Sequence, residues 1–80
     1  MTSEQLRAFL QVAREGRVST AARGLGLSQS GLSRQLQALE AEVGARLLVR
    51  TPPAAVLTDA GERFLPHATR ALEPWRRARG

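Results

Sequence analysis

Apolar positions recur along the chain in short runs separated by glycines, and this punctuation predicts three helices, a hairpin and a last long helix. Leu6, Phe9, Leu10 and Ala13 fall on one face of a first helix. Thr2 and Gln5 precede that face at capping-box spacing, with Gly16 as the stop. Ser19 is the expected cap of a second, short helix. Its inward side would be Ala22 and Leu25, with Ala21 beside them, and the alanines allow another helix to approach closely. Gly24 and Gly26 end that segment. Ser28 is the expected cap of a third helix over about 29–43, with Leu32, Leu36, Leu39 and Val43 in a narrow arc and Gly44 as the stop.

Beyond Gly44 the period changes. Leu47, Leu48 and Val49 predict one strand, and Val56 and Leu57 a second. Between them Thr51-Pro52-Pro53-Ala54 reads as a turn, because two prolines withhold ladder donors. Thr58 is placed to cap the last helix, on which Leu65, Ala68, Leu72 and Trp75 repeat with heptad-like spacing. Left alone, that stripe would face water, so it predicts a seam with a second copy of the chain. Pro66 should bend this helix, Pro74 should end or kink it, and the tail from Arg76 should fray. The fold class is mainly α: a three-helix core with a small β-hairpin wing over 1–58, then a linker or dimerisation helix over 59–80.

Size and charge sharpen the picture. Eighty residues make one small domain, whose core is marginal without a partner. No cysteine is present, so disulfides and thiolate metal sites are excluded. The net charge is +5, and all 12 basic residues are arginine, which grips phosphates and guanine edges bidentately. The same bias also fits a GC-rich genome, so the charge permits a nucleic-acid partner without requiring one.

The candidate chemistry lies on the third helix. Its polar side carries Ser30, Arg34, Gln37 and Ala41, with Ser33 at the flank. Small side chains let a helix enter the major groove. Gln29 and Arg34 can bond base edges, while Ser28, Ser30 and Ser33 can reach phosphates or bases. On the pattern alone, a solvated helix face and a DNA-reading face are equally good accounts. His67 is the single histidine, with no second imidazole and no thiolate to share a metal. Trp75 beside Arg76 and Arg77 fits packing against a partner helix better than an aromatic–basic nucleic-acid patch. No phosphate loop, metal cluster or acid–base pair points to an enzyme, and no cofactor, membrane contact or small-molecule site is expected within the chain.

The run Ala21-Ala22, Leu25, Leu27-Ser28-Gln29-Ser30-Gly31-Leu32-Ser33-Arg34-Gln35-Leu36, Leu39-Glu40, Val43-Gly44, Leu47-Leu48, Arg50, Leu57-Thr58 and Ala60-Gly61 closely resembles the LysR-type transcriptional regulators. The likeness extends from about Leu6 to Leu72. It implies the N-terminal winged helix-turn-helix domain of such a regulator, followed in the family by a dimerising linker helix and a larger effector-sensing domain. It implies that Gln29, Ser30, Ser33 and Arg34 face DNA, with Gln37 further along the same side. Ser19 and Ser28 match positions that cap helices and meet the DNA backbone, and Arg50 matches the arginine at the foot of the wing. The implied partner is an inverted-repeat site on double-stranded DNA, bound by a homodimer in the cytoplasm at the nucleoid.

Three departures stand out. Ser30 replaces the family's usual proline. Pro52, Pro53, Ala54 and Ala55 replace its basic wing, which leaves Arg50 to hold the backbone. Pro74 falls where the linker helix normally continues. A competing function is a truncated module that pairs with a full-length regulator, and salt-sensitive DNA affinity of the isolated chain separates the two.

Overall fold

A computed structural model describes the backbone of residues 1–79 and the side chains of residues 1–73. The order is α1 (Ser3–Glu15), α2 (Val18–Leu25), α3 (Gln29–Val43), β1 (Leu48–Thr51), β2 (Ala54–Leu57) and α4 (Asp59–Arg79). Thr2 and Gln5 form the expected capping box: the Gln5 amide donates to Thr2 Oγ1 and the Thr2 amide to Gln5 Oε1, each at 3.1 Å. The inward face of α1 is Leu6, Ala8, Phe9 and Val12, whereas Leu10 and Ala13 lie half-buried at its edge. The expected face was rotated because α1 packs against α2, α3 and α4 together and so buries a wider arc than one apolar stripe.

The second helix starts two residues earlier than a Ser19 cap would place it. Gly16 turns through the left-handed region and Arg17 is extended, so the chain enters α2 at Val18. Ser19 therefore sits inside the first turn and caps nothing; Arg17 is the N-cap and supplies no side-chain hydrogen bond. The turn into α3 needs Gly26, at φ 69°. There the Gly26 amide bonds the Arg23 carbonyl at 3.2 Å and the Leu27 amide bonds the Ala22 carbonyl at 2.9 Å, a Schellman closure. Ser28 then caps α3 as expected, its Oγ accepting from the Gly31 amide at 3.0 Å.

Leu32, Leu36 and Leu39 are fully buried beneath α3, with Phe9, Val12, Ala21 and Ala22 around them. Phe64 meets Phe9 edge-on, with ring centroids 5.4 Å apart. The hairpin is antiparallel in the register Leu48↔Leu57, Val49↔Val56, Arg50↔Ala55 and Thr51↔Ala54, with Pro52-Pro53 at its tip in a cis peptide bond. Pairing begins at Leu48 rather than Leu47. The Leu47 amide is taken by the Glu40 carboxylate and its carbonyl by the Thr58 amide.

Thr58 caps α4: its Oγ1 accepts from the Gly61 amide at 2.9 Å and donates to the Arg46 carbonyl at 2.6 Å. Gly61 is required by proximity, since a β-carbon there would lie 2.1 Å from the Leu47 carbonyl oxygen. The expected solvent-facing stripe on α4 is corrected. Ala68 and Leu72 are buried in the chain's own core against α1, and Leu65 is half-buried beside them. The stripe matched a seam because a helix packing on its own domain and a helix packing on a partner show the same apolar repeat. The helix also runs past Pro74 to Arg79, so Pro74 does not end it. A proline removes one helical donor, and its fixed φ still suits a helix. Pro66 lies on the exposed side, where water can serve the carbonyl it leaves unbonded.

Candidate nucleic-acid interface

The outer side of α3 is built by subtraction. Its leucines fix which way the helix is turned, and that leaves Ser30, Arg34 and Gln37 exposed at intervals of four and three residues along one edge. Gln29 is exposed in the first turn, and Ser28 Oγ lies 3.3 Å from Ser30 Oγ while capping the helix. Among the described residues no carboxylate pairs with the Arg34 guanidinium. The edge thus presents two hydroxyls bonded to each other, the exposed amides of Gln29 and Gln37, and one guanidinium that no described carboxylate pairs.

The wing stands against one flank of that edge. Arg50 Nη1 donates to Ser33 Oγ at 2.7 Å, so the two candidates on different elements are in direct contact. A groove of about 390 Å³ runs between α2, α3 and the hairpin tip, lined by Val18, Ser19, Gln29, Ser33, Arg50, Pro52, Pro53 and Ala54. It gathers four of the eight expected DNA-facing residues: Ser19, Gln29, Ser33 and Arg50. A second, larger groove of about 710 Å³ lies toward the other end of α3, where Gln37 and Arg50 meet Glu40, Ala41 and Arg46. Arg50 lines both. Ser28, Ser30 and Arg34 line neither and are exposed, at the N-cap and along the outer edge of α3.

Glu40 was present in the recognised motif without an assigned role. Its Oε2 accepts from the Leu47 amide at 2.7 Å and the Leu48 amide at 3.1 Å, with Arg46 Nε 3.8 Å away. It therefore ties the far end of α3 to the start of the wing. An acidic residue one turn before a glycine stop is the signal that could have found it. Arg46, largely exposed in the second groove, was likewise missed. The wing is fixed a second time where the Ala55 amide donates to the Gly16 carbonyl at 2.9 Å.

The residues expected to dimerise do not lie together on an open surface. Leu65 joins Leu10, Ala13, Arg14 and Thr69 in a shallow trough between α1 and α4. Leu72, although buried, borders a neighbouring trough with Met1, Ser3, Leu6 and Ala71. The Trp75 side chain lies outside the described residues. His67 is exposed on α4. No described helix is long and apolar enough to cross a membrane.

The sequence profile described as "Bacterial regulatory helix-turn-helix protein, lysR family" matches residues 3–62. Among curated relatives, the transcriptional regulator ClcR of Pseudomonas putida is 47% identical over 72 residues, covering 90% of this chain and 24% of the relative. The regulator TfdT of Cupriavidus pinatubonensis is 44% identical over 72 residues, covering 90% of this chain and 32% of the relative. The chain thus spans about a quarter to a third of the length of these relatives. Among solved structures, the CbnR DNA-binding domain in complex with DNA superposes with a TM-score of 0.91 at 44% identity, covering 98% of this chain and 90% of that one. The BenM DNA-binding domain on catB site 1 DNA superposes with a TM-score of 0.88 at 35% identity, covering 98% and 88%. The helix-turn-helix closed by Gly26, the wing seated by Glu40 and Gly61, and the family profile over most of the chain agree: this chain belongs to the LysR family of bacterial regulatory helix-turn-helix proteins.

Proposed function

We propose that this chain binds double-stranded DNA in a sequence-specific manner as the DNA-binding part of a transcriptional regulator, with α3 in the major groove. The observation that carries the proposal is the outer edge of α3. Arg34 is exposed and unpaired by any described carboxylate, and the Arg50–Ser33 contact stands on its flank. A guanidinium there can bond both acceptors of a guanine, and Gln29 or Gln37 can bond an adenine. Ser19, Ser28, Ser30, Ser33 and Arg50 lie where phosphates would pass, and they set register rather than sequence. The solved DNA complexes of the CbnR and BenM domains, which superpose closely on this chain, support DNA binding by this fold.

Two copies would act together on an inverted repeat, since a closed two-fold contact pairs two half-sites. The surface offered for pairing is the pair of troughs along α1 and α4, where Leu65 and Leu72 present their edges and Ala68 supports them from beneath. These troughs are shallow, so free pairing should be weak, on the order of −8 kcal/mol or micromolar. DNA would then assemble the dimer by raising the effective concentration of the second copy.

Selection of bound sequences from a random duplex pool tests both claims. The expected product is a recurrent inverted repeat that carries two copies of the chain at saturation. Recovery of no preferred sequence would refute sequence-specific binding. Ala71→Glu places a charge in the exposed trough and should leave only one copy on a half-site; sedimentation of the complexes reads the difference. A wild-type chain that saturates its best duplex as a single copy contradicts the dimer.

A further inference from the structure

We propose that the tip of the wing holds DNA by apolar contact, with Pro52, Pro53 and Ala54 packed on the deoxyribose walls of the minor groove beside the half-site, while the charge contribution of the wing is confined to Arg50 at its foot. The inference rests on the DNA-binding reading above and concerns how one part of that surface works.

The first observation is chemical. From Val49 through Thr58 the one ionisable side chain is Arg50, and its guanidinium is turned toward α3, bonded to Ser33 Oγ at 2.7 Å. The tip itself carries two prolines in succession, which have no backbone N–H. Phosphate oxygens accept hydrogen bonds and cannot donate them. A tip so poor in donors has little to offer a phosphate, whereas the C–H faces of deoxyribose suit proline rings. Proline is one of the side chains with which minor-groove binders touch or wedge DNA.

The second observation is positional. Pro52, Pro53 and Ala54 are exposed, and they line the same groove as Ser19, Gln29 and Ser33. A duplex laid along α3 must therefore pass the tip. The hairpin has little freedom to move aside. Ala55 is 4% exposed, its amide is bonded to the Gly16 carbonyl, and Glu40 holds the amides of Leu47 and Leu48. The other exposed apolar pair of the hairpin, Val49 and Val56, lies back from the tip and does not line that groove. It supplies an internal control.

Contact of this kind releases no counterions, so it should be independent of salt. It should also respond to groove width rather than to base identity. The test uses the full chain and a duplex recovered by selection. Affinity is measured by fluorescence anisotropy across a salt series, and the complex is footprinted with hydroxyl radicals, which attack deoxyribose. Replacing both Pro52 and Pro53 by alanine should weaken binding roughly three- to tenfold, leave the salt slope unchanged and remove a patch of sugar protection in the minor groove. Val49→Thr with Val56→Thr should change none of these. Ala54→Arg, which leaves the prolines in place, should tighten binding and steepen the salt slope by about one unit. Unchanged affinity and protection in the double alanine variant would overturn the inference, as would a loss accompanied by a shallower salt slope. If the wild-type chain shows no salt-dependent DNA affinity at all, the underlying reading fails instead.

Discussion

The third helix and the wing lie side by side on one surface, yet they are held there by different means. The orientation of α3 follows from its own residues: Ser28 caps it, Gly44 stops it, and Leu32, Leu36 and Leu39 choose its buried side. The wing has four-residue strands and a two-residue tip, too little to stand alone. It is placed by contacts from distant parts of the chain: Glu40 on α3, Gly16 after α1, and Thr58 and Gly61 at the start of α4. The chemistry divides in the same way. The edge of α3 has donors and acceptors free for a partner, whereas the wing has one arginine, already engaged, and an apolar tip. One element can therefore read bases while its neighbour supplies position.

Breaking the α3 side should have the largest effect on folding. Leu36→Ala removes a side chain that is 1% exposed at the centre of the core. It should cost about 2–5 kcal/mol of stability and abolish DNA binding through unfolding, as read by urea denaturation followed by circular dichroism. Breaking the wing's seat should be milder and more local. Gly61→Ala forces a β-carbon against the Leu47 carbonyl, so α4 and the segment leading into β1 must separate. A loss of about 1–3 kcal/mol is expected in the same denaturation experiment. Wing amides should also exchange faster with solvent while those of α3 stay protected; equal loss of protection in both elements would dissolve the distinction drawn here.

The smallest effect belongs to the single wing cation. Arg50→Ala should weaken specific and non-specific duplexes by a similar factor and lower the salt slope by about one unit. Ser33 then loses its partner but stays on the helix edge. Loss of discrimination between A·T-rich and G·C-rich flanks would assign Arg50 to the minor groove instead.

The same division explains what the sequence made legible. Capping at Thr2, Ser28 and Thr58 depends on neighbours three residues away, and all three positions cap as their spacing predicts. The polar edge of α3 was equally readable, because a helical period fixes it once the leucines are inside. Ser19 misled because Gly16 and Arg17 delivered the chain into α2 two residues early. Ala68 and Leu72 misled for a deeper reason. Their spacing says only that α4 has an apolar face, and not whether α1 of the same chain or another copy covers it. The roles of Glu40 and Gly61 depend on contacts to Leu47 across the fold, which no local pattern encodes. Both residues were visible in the family motif, but only the structure shows what each one touches.

The central claim is that the exposed edge of α3 reads base identity, and Arg34 is its one unpaired cation among the described residues. The direct measurement is parallel selection from a random duplex pool with the wild-type chain and Arg34→Ala, followed by affinities for the recovered sites. The account predicts a loss of about 1–3 kcal/mol in specific binding, with preference relaxed at one base position in each half-site and retained elsewhere. An Arg34→Ala chain that selects the same sequence with the same stringency at every position would contradict it.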